Sequence, residues 1–408
     1  MTKLQALAPM ALVSALVAAC GGGGGGEALA SAPTSAVASA TAVQAAGVDA
    51  RKRLPTFASL VVFGDSLSDV GSYRTPGIAA IGGGEYTVNG TAGANWTQLL
   101  ARELAVAAPC PAQTGLESSG PLAFLAAPIE NHAGCTSYAQ GGARVTQQVG
   151  PGNQALLALG NSSGYVGQLT DPLVDQMSRH LAASGGAYSG NELVAVLAGA
   201  NDLFMQLATL QATVAAGGDP NAATAAAVGG MGQAGAELAG YVRQLIVSRG
   251  ASHVVVVNLP DAGKTPSAYA ETADTQALIT FMVETFNAQL SGGLAGAPGV
   301  LVVDAFGASQ DQAAHPRRYG LSNVTDPACD LTKTLFPSSL VCTKPGTVIA
   351  GDISHYSFAD TVHPTPYGYR LLGELVAGTM TKNGWLAPDG RRPCEHTTRR
   401  CPLSSRDS

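Results

Sequence analysis

Apolar strand-like runs alternating with helical stretches predict an α/β protein: a three-layer α/β/α domain of flavodoxin-like type on a mainly parallel sheet. Three observations carry the prediction. Compact apolar, β-branched runs occur at 60–63, 192–198 and 254–259. Helical spacing or Ala-rich composition fills 95–104, 222–248 and 269–290 between and beyond them. Gly, Asp or Asn follows closely behind each run, at the carboxyl edge where open sheets of this class place their chemistry.

The chain has 408 residues, 46% of them hydrophobic, which is ample for a core of one large domain or two small ones. Only 12% are charged and the formal net charge is -6. Basic residues cluster only at Arg51-Lys-Arg53 and near Arg391, so no nucleic-acid partner is expected.

Near the N-terminus, Lys3 precedes an apolar run at 12–19, too short to span a bilayer, that ends in Val17-Ala-Ala-Cys20. This resembles a bacterial lipoprotein signal, which implies that residues 1–19 are removed and that Cys20 carries lipid. An ordinary secretory signal cut nearby is the alternative. After Cys20, residues 21–50 begin with six glycines and continue in Ala, Ser, Thr and Val with almost no charge, a composition that cannot bury enough surface to order itself. The expected organisation is a flexible tether over 20–53, a folded domain over 54–387 and a polar tail over 388–408.

The first strand runs into Gly64-Asp65-Ser66, a tight turn that sets the Ser66 hydroxyl at the sheet edge. Taken alone, the same string also suits a turn followed by a helix cap. A Gly-rich loop at 77–84 and Asn89-Gly90 lead to an amphipathic helix carrying Leu99, Leu100 and Leu104, with Trp96 read as a core residue. Residues 107–134 show little periodicity and read as an ordered surface loop framed by Cys110 and Cys135. A short strand from Ser137 runs into Gly141-Gly142, where the lack of a side chain lets the backbone approach a reacting atom. Residues 154–159 read as helix. Gly160-Asn-Ser-Ser-Gly164 fits the Gly-x-Ser-x-Gly elbow of other hydrolases but lacks a preceding strand, so Ser162 reads as a surface turn.

The second run ends in Gly199-Ala-Asn201-Asp202. The carboxamide of Asn201 can donate a neutral hydrogen bond, which suits a developing oxyanion. The Ala-rich stretch at 222–248 reads as a covering helix with a break at Gly229-Gly230. The valine run at 254–259 has the composition of a strand buried on both faces. Residues 269–290 then read as helix, 299–306 as the last strand, 319–352 as loop and 367–380 as a terminal helix. Asp360 and His363 are three residues apart, and one helical turn would put both on the same face, with Pro364 ending it.

In this order Gly64-Asp-Ser66, Tyr138-Ala-Gln-Gly-Gly-Ala-Arg144, Gly199-Ala-Asn-Asp202 and Asp360-Thr-Val-His363 resemble the blocks of the GDSL lipases and esterases within the SGNH hydrolase superfamily. The resemblance runs from about Phe57 to about Gly384 and includes 258–266. It implies the SGNH hydrolase fold and an acyl transfer chemistry with Ser66, His363 and Asp360 as nucleophile, base and orienting carboxylate. The implied oxyanion donors are Ser66, Gly142 and Asn201, with Gly141 as the fallback for Gly142. No metal and no organic cofactor are implied. Ser137, where Asn is common in the family, and Arg144 depart from its pattern and leave the acyl pocket open.

With Cys20 lipidated, six cysteines remain, and an oxidising compartment suggests disulfides. Neighbours in sequence are Cys110 with Cys135, Cys329 with Cys342, and Cys394 with Cys401, though other pairings are open. A zinc site using His396 beside Cys394 competes, without a Cys-x-x-Cys pair to support it. The expected function is a bacterial ester hydrolase, lipid-anchored in the cell envelope at the outer membrane or else secreted, and taken as a monomer, with an ester or lipid substrate. The alternatives are an acyltransferase, a polysaccharide O-deacetylase, or a binding lipoprotein without turnover.

Overall fold

A computed structural model describes residues 54–90 and 94–388. Cys20, the signal and tether, Cys394, His396, Cys401 and residues 389–408 lie outside the described residues. In chain order the elements are β1 (Ser59–Gly64), α1 (Pro76–Ala80), α2 (Trp96–Leu104), β2 (Gln113–Leu116), β3 (Ala127–Asn131), α3 (Leu173–Ala183), β4 (Glu192–Leu197), α4 (Ala200–Ala215), α5 (Pro220–Tyr241), β5 (His253–Val257), α6 (Pro266–Tyr269), α7 (Ala273–Leu294), β6 (Val300–Val303), α8 (Ala305–Ala314), β7 (Asn323–Pro327), β8 (Tyr356–Phe358) and α9 (Pro366–Lys382).

The central sheet is parallel throughout, in the order β1-β4-β5-β6. Residues 136–140 lie along the free side of β1: Val62 donates to the Thr136 carbonyl, Tyr138 to Val62 and Gln140 to Gly64. This is the segment expected as a strand from Ser137, and it forms only isolated bridges there. With it counted, the first strand is second from the edge, as in a flavodoxin-like sheet. The valines of β5 are fully buried, each worth roughly 1.5–3 kcal/mol against exposure. Helices pack on the sheet in two groups, α2 with α9 and α5 with α4 and α7, giving the three layers.

Two side-chain amides finish strands at the carboxyl edge. Gln176 of α3 accepts from the Gly64 N–H and donates to the Gly64 carbonyl, both at 2.9 Å. Asn287 of α7 does the same for Leu259 just past β5, at 2.8 and 2.9 Å. Such reciprocal pairing satisfies the Leu259 N–H and carbonyl past the end of β5 and, at Gly64, adds to the bond from Gln140. At the start of α2, Asn95 accepts from Thr97 and Gln98 while Gln98 returns a bond to the Asn95 N–H, a reciprocal cap. Trp96 is fully buried there, its indole N–H donating to Ser68 Oγ at 3.2 Å.

Several expectations are corrected. Residues 107–134 are not simply loop: β2 and β3 pair antiparallel, and Cys110–Cys135 closes their base. Residues 154–159 form a 3-10 helix. The helix over 222–248 runs unbroken through Gly229 and Gly230 to Tyr241, then loosens into a π turn and a 3-10 turn. Strand β6 ends at Val303, because Asp304 accepts from the Gly307 N–H and caps α8. It is not the last strand, since β7 and β8 pair in a small separate sheet within and after 319–352. Cys329–Cys342 closes a 13-residue separation in that region. A second apolar cluster, including Tyr73, Ile78, Tyr86, Leu116, Phe336 and Leu340, lies apart from the sheet core.

Glycines in α5 test the packing. A Cβ on Gly235 would stand 2.3 Å from the Phe286 carbonyl oxygen of α7, whereas Gly229 is exposed with nothing within 4 Å. Urea unfolding should show Gly235→Ala destabilised by about 1–3 kcal/mol through overpacking. Gly229→Ala should be stabilised by roughly 0.5–1 kcal/mol, the cost of Gly in a helix interior. Equal effects at the two positions would refute the packing assigned to the α5–α7 contact.

Candidate active site

Ser66 follows β1 in a turn that its neighbour holds. Asp65 Oδ1 accepts the Leu67 N–H at 3.0 Å, and the Asp65 carbonyl accepts from Ser68. The Ser66 hydroxyl lies 2.8 Å from His363 Nε2. On the other side of the ring, Nδ1 lies 2.7 Å from Asp360 Oδ2 and 2.9 Å from Oδ1. An ionised carboxylate only accepts, so the proton belongs on Nδ1 and Nε2 is left to accept from serine.

Asp360 and His363 do not share a helical turn, as the spacing suggested. Residues 359–363 form an irregular turn built on the aspartate itself, whose Oδ1 accepts the N–H of Val362 at 2.9 Å and of His363 at 2.8 Å. A short aspartate side chain competes well for such local amides. Its Oδ2 accepts the Ser339 N–H at 2.7 Å from a distant loop. Burial would raise the Asp360 pKa, but the His363 ring and these hydrogen bonds outweigh it and hold the carboxyl well below its ordinary value. The Tyr86 ring backs His363, centroids 4.8 Å apart, and Thr87 donates to the Pro364 carbonyl.

The second and third blocks meet at the same sheet edge. Asp69 Oδ1 accepts from Gly71 and Ser72, and its Oδ2 takes the Gly141 N–H at 2.9 Å. The Gly141 amide is thus engaged. The amides of Gly142 and Ser66 have no hydrogen-bond partner among the described residues. Gly142 sits at φ +81°, and a Cβ there would stand 2.5 Å from the Pro151 carbonyl oxygen, so only glycine fits. Asn201 donates one Nδ2 hydrogen to the Ala143 carbonyl at 2.8 Å and retains a second. Next to it, Asp202 accepts from the Val145 N–H at 2.9 Å and pairs with Arg144 Nε at 3.0 Å. Arg144 therefore ties its loop to the start of α4, and it is not among the residues lining the cleft. Ser137 is buried, its Oγ unpartnered among the described residues.

Ser66 and His363 open on a cleft of about 1140 Å³, counted out to its mouth, whose lining is mainly apolar and includes Leu203, Phe204, Ala308, Phe358, Val362 and Leu372. Lys264 and Asp261 are its charged residues. Ser162 lies elsewhere, exposed at the start of a 3-10 turn with no strand before it. Among the described residues no group of three or more His, Cys, Asp or Glu could hold a metal. Sequence reasoning passed over Asp69, Tyr86 and Ser339. Asp69 lies three residues past Ser66 and could have been weighed, but a tyrosine ring and a backbone N–H leave no such signal.

The chain belongs to the GDSL-like Lipase/Acylhydrolase family, which matches residues 60–376. It is 28% identical over 353 residues to the esterase EstA of Pseudomonas aeruginosa and, equally, to that of Pseudomonas putida, covering 80% of this chain and 47% of each relative. The chain thus spans about half the length of these curated relatives. Among solved structures it is similar to a lipase/acylhydrolase from Enterococcus faecalis (14% identity, 80% of this chain and 97% of that one, TM-score 0.32). An extracellular lipase from Streptomyces rimosus gives 15% identity over 80% and 99% of the two chains, TM-score 0.31.

Asp65 carries a testable electrostatic consequence. Its carboxyl is fully buried, its Oδ2 has no partner among the described residues, and burial pushes its pKa up to about 7. A carboxyl whose pKa is raised on folding stabilises the fold below its unfolded value and loses that contribution as pH rises through the folded one. Thermal unfolding from about pH 4 to about pH 8 should therefore show Asp65→Asn gaining on the parent as pH increases. A pH-independent difference would remove Asp65 as a titrating group.

Proposed function

We propose that the chain is an exported serine hydrolase that cleaves carboxylic esters through an acyl-enzyme on Ser66. The observation that carries this reading is the hydrogen-bonded relay from Asp360 through His363 to Ser66 at the edge of an apolar cleft. Ser66 passes its proton to His363 Nε2 as its oxygen attacks the ester carbonyl, and the Asp360 carboxylate stabilises the imidazolium that forms. The amides of Ser66 and Gly142 and the remaining Asn201 Nδ2 hydrogen are the donors for the oxyanion. His363 then protonates the leaving alcohol, and water repeats the cycle to release the acid. This chemistry needs no metal or organic cofactor.

Family membership and the esterase names of the two Pseudomonas relatives support the reading. An apolar cleft beside the serine suits an aliphatic acyl group better than a sugar, which favours esterase or lipase work over polysaccharide deacetylation. Hydrolysis and acyl transfer differ only in the acceptor, and product analysis with an added alcohol separates them. With p-nitrophenyl esters from acetate to palmitate, Ser66→Ala should lose at least about a thousandfold in kcat. Asn201→Ala should lose about a hundredfold. Activity retained in Ser66→Ala would sink the mechanism, and a near-parental Asn201→Ala would take Asn201 out of it.

The same reading places the enzyme in the cell envelope, held by lipid on Cys20. The apolar run ending at Cys20 supports this, as do two disulfides, which persist in oxidising compartments. None of the described helices is long and apolar enough to cross a membrane. Expressed in a bacterial host, the Cys20→Ser variant should leave the membrane fraction; a variant that still pellets with membranes overturns the lipid anchor.

A further inference from the structure

The loop between Cys329 and Cys342 contributes no side chain to the relay, yet its backbone touches it. The Asp360 oxygen that faces His363 Nδ1 also accepts the Ser339 N–H at 2.7 Å. Ser339 is fully buried, three residues before Cys342. At the loop's other end, Cys329 donates to the carbonyl of Ala359, the residue before Asp360, at 2.8 Å. The disulfide therefore joins two points that both bear on the Asp360 turn.

Asn89 holds the loop from the opposite side. Its backbone N–H donates to the Cys342 carbonyl at 2.9 Å. Its Nδ2 lies 2.9 Å from the Ser339 carbonyl, 3.1 Å from that of Cys342, 2.9 Å from that of Glu85 and 3.1 Å from that of Thr87. Its Oδ1 accepts the Glu85 N–H at 3.0 Å. Gly84 adds a bond to the Leu340 carbonyl. Asn89 is buried, and an apolar cluster of Val88, Ala328, Ile353 and Ala359 surrounds the disulfide.

We propose that Asn89 and the Cys329–Cys342 disulfide form a positioning clamp that keeps the Ser339 amide on the Asp360 carboxylate and thereby aims His363 at Ser66. The Oδ1 atom is held by the turn's own amides, whereas Oδ2 has Ser339 as its one donor from outside the turn. Loosening that donor frees the carboxylate to rotate and weakens the orientation of the imidazole. Asn89 and the disulfide touch no reacting atom, so they are positioning groups. The inference rests on the Ser66 mechanism.

The second disulfide supplies the control. Cys110–Cys135 braces the segment beside the beginning of β1, where Thr136 bonds the Leu60 carbonyl. Full-chain protein is assayed on p-nitrophenyl butyrate well below the unfolding temperature, with near-UV circular dichroism and thermal unfolding on each variant. Asn89→Ala, and Cys329→Ser combined with Cys342→Ser, should lower kcat about tenfold or more with KM within about twofold. Cys110→Ser combined with Cys135→Ser should lose thermal stability and keep kcat. If the Cys329/Cys342 pair variant does not fold, Asn89→Ala carries the test, since it leaves both disulfides in place; Asn89→Ser serves if Ala does not fold. Unchanged kcat in folded clamp variants, or an equal loss in the control, overturns the clamp. Ser66→Ala run alongside separates the failures: an active Ser66→Ala removes the mechanism itself, whereas an inactive one with parental clamp variants removes only the clamp.

Discussion

A carboxylate taken out of water must be surrounded by donors, and three buried carboxylates organise the carboxyl edge of this sheet under that constraint. Asp69 gathers the amides of Gly71, Ser72 and Gly141. Asp202 takes the Val145 amide and the Arg144 guanidinium. Asp360 takes those of Val362, His363 and Ser339. Asp69 thus ties the Ser66 turn to the Gly141–Gly142 loop, Asp202 ties that loop to the start of α4 beside Asn201, and Asp360 ties the His363 turn to the loop between Cys329 and Cys342. Burial raises the pKa of Asp69 and Asp202, while Asp360 is the one of the three held low, with an imidazole beside it.

What could be read in advance follows the same division. The strands at Leu60, Leu193 and Val254 are dense in β-branched and aliphatic residues buried on both faces, and such runs declare themselves. Ser66, Asn201 and His363 stood out because the blocks that carry them occur together in the order a known family shows; alone, Gly64-Asp-Ser66 also suits a helix cap. The hairpin at 113–131 did not, because Gln113, Gly115, Pro128 and Glu130 show no period. The expected break at Gly229-Gly230 failed for a tertiary reason: α5 needs small residues where it crosses its neighbours, as at Gly230 beside Gln206 of α4 and Gly235 against α7. Asp360 and His363 were paired correctly by spacing but through the wrong geometry, because the aspartate makes its own turn. Ser339 acts through a backbone N–H, and nothing in the identity of a residue reports that.

The second apolar cluster, separate from the sheet core, also reaches this edge. Tyr86 belongs to that cluster and also lies against the His363 ring, while its carbonyl accepts from Tyr369 of α9. The imidazole is thus braced by a side of the protein that contributes none of the central strands. Packing of the second apolar cluster and alignment of the relay are coupled at this tyrosine.

The two reciprocal amides at Gly64 and Leu259 have a chemical corollary. Each presents a donor and an acceptor at once to the N–H and carbonyl of a single residue, a combination that an ionised carboxylate cannot copy. Deamidation of Gln176 or Asn287 would leave atom count and shape nearly unchanged while replacing a donor with a second acceptor aimed at a peptide carbonyl. Such a change would disturb the strand ends immediately ahead of the functional loops while leaving every side chain in the relay unaltered.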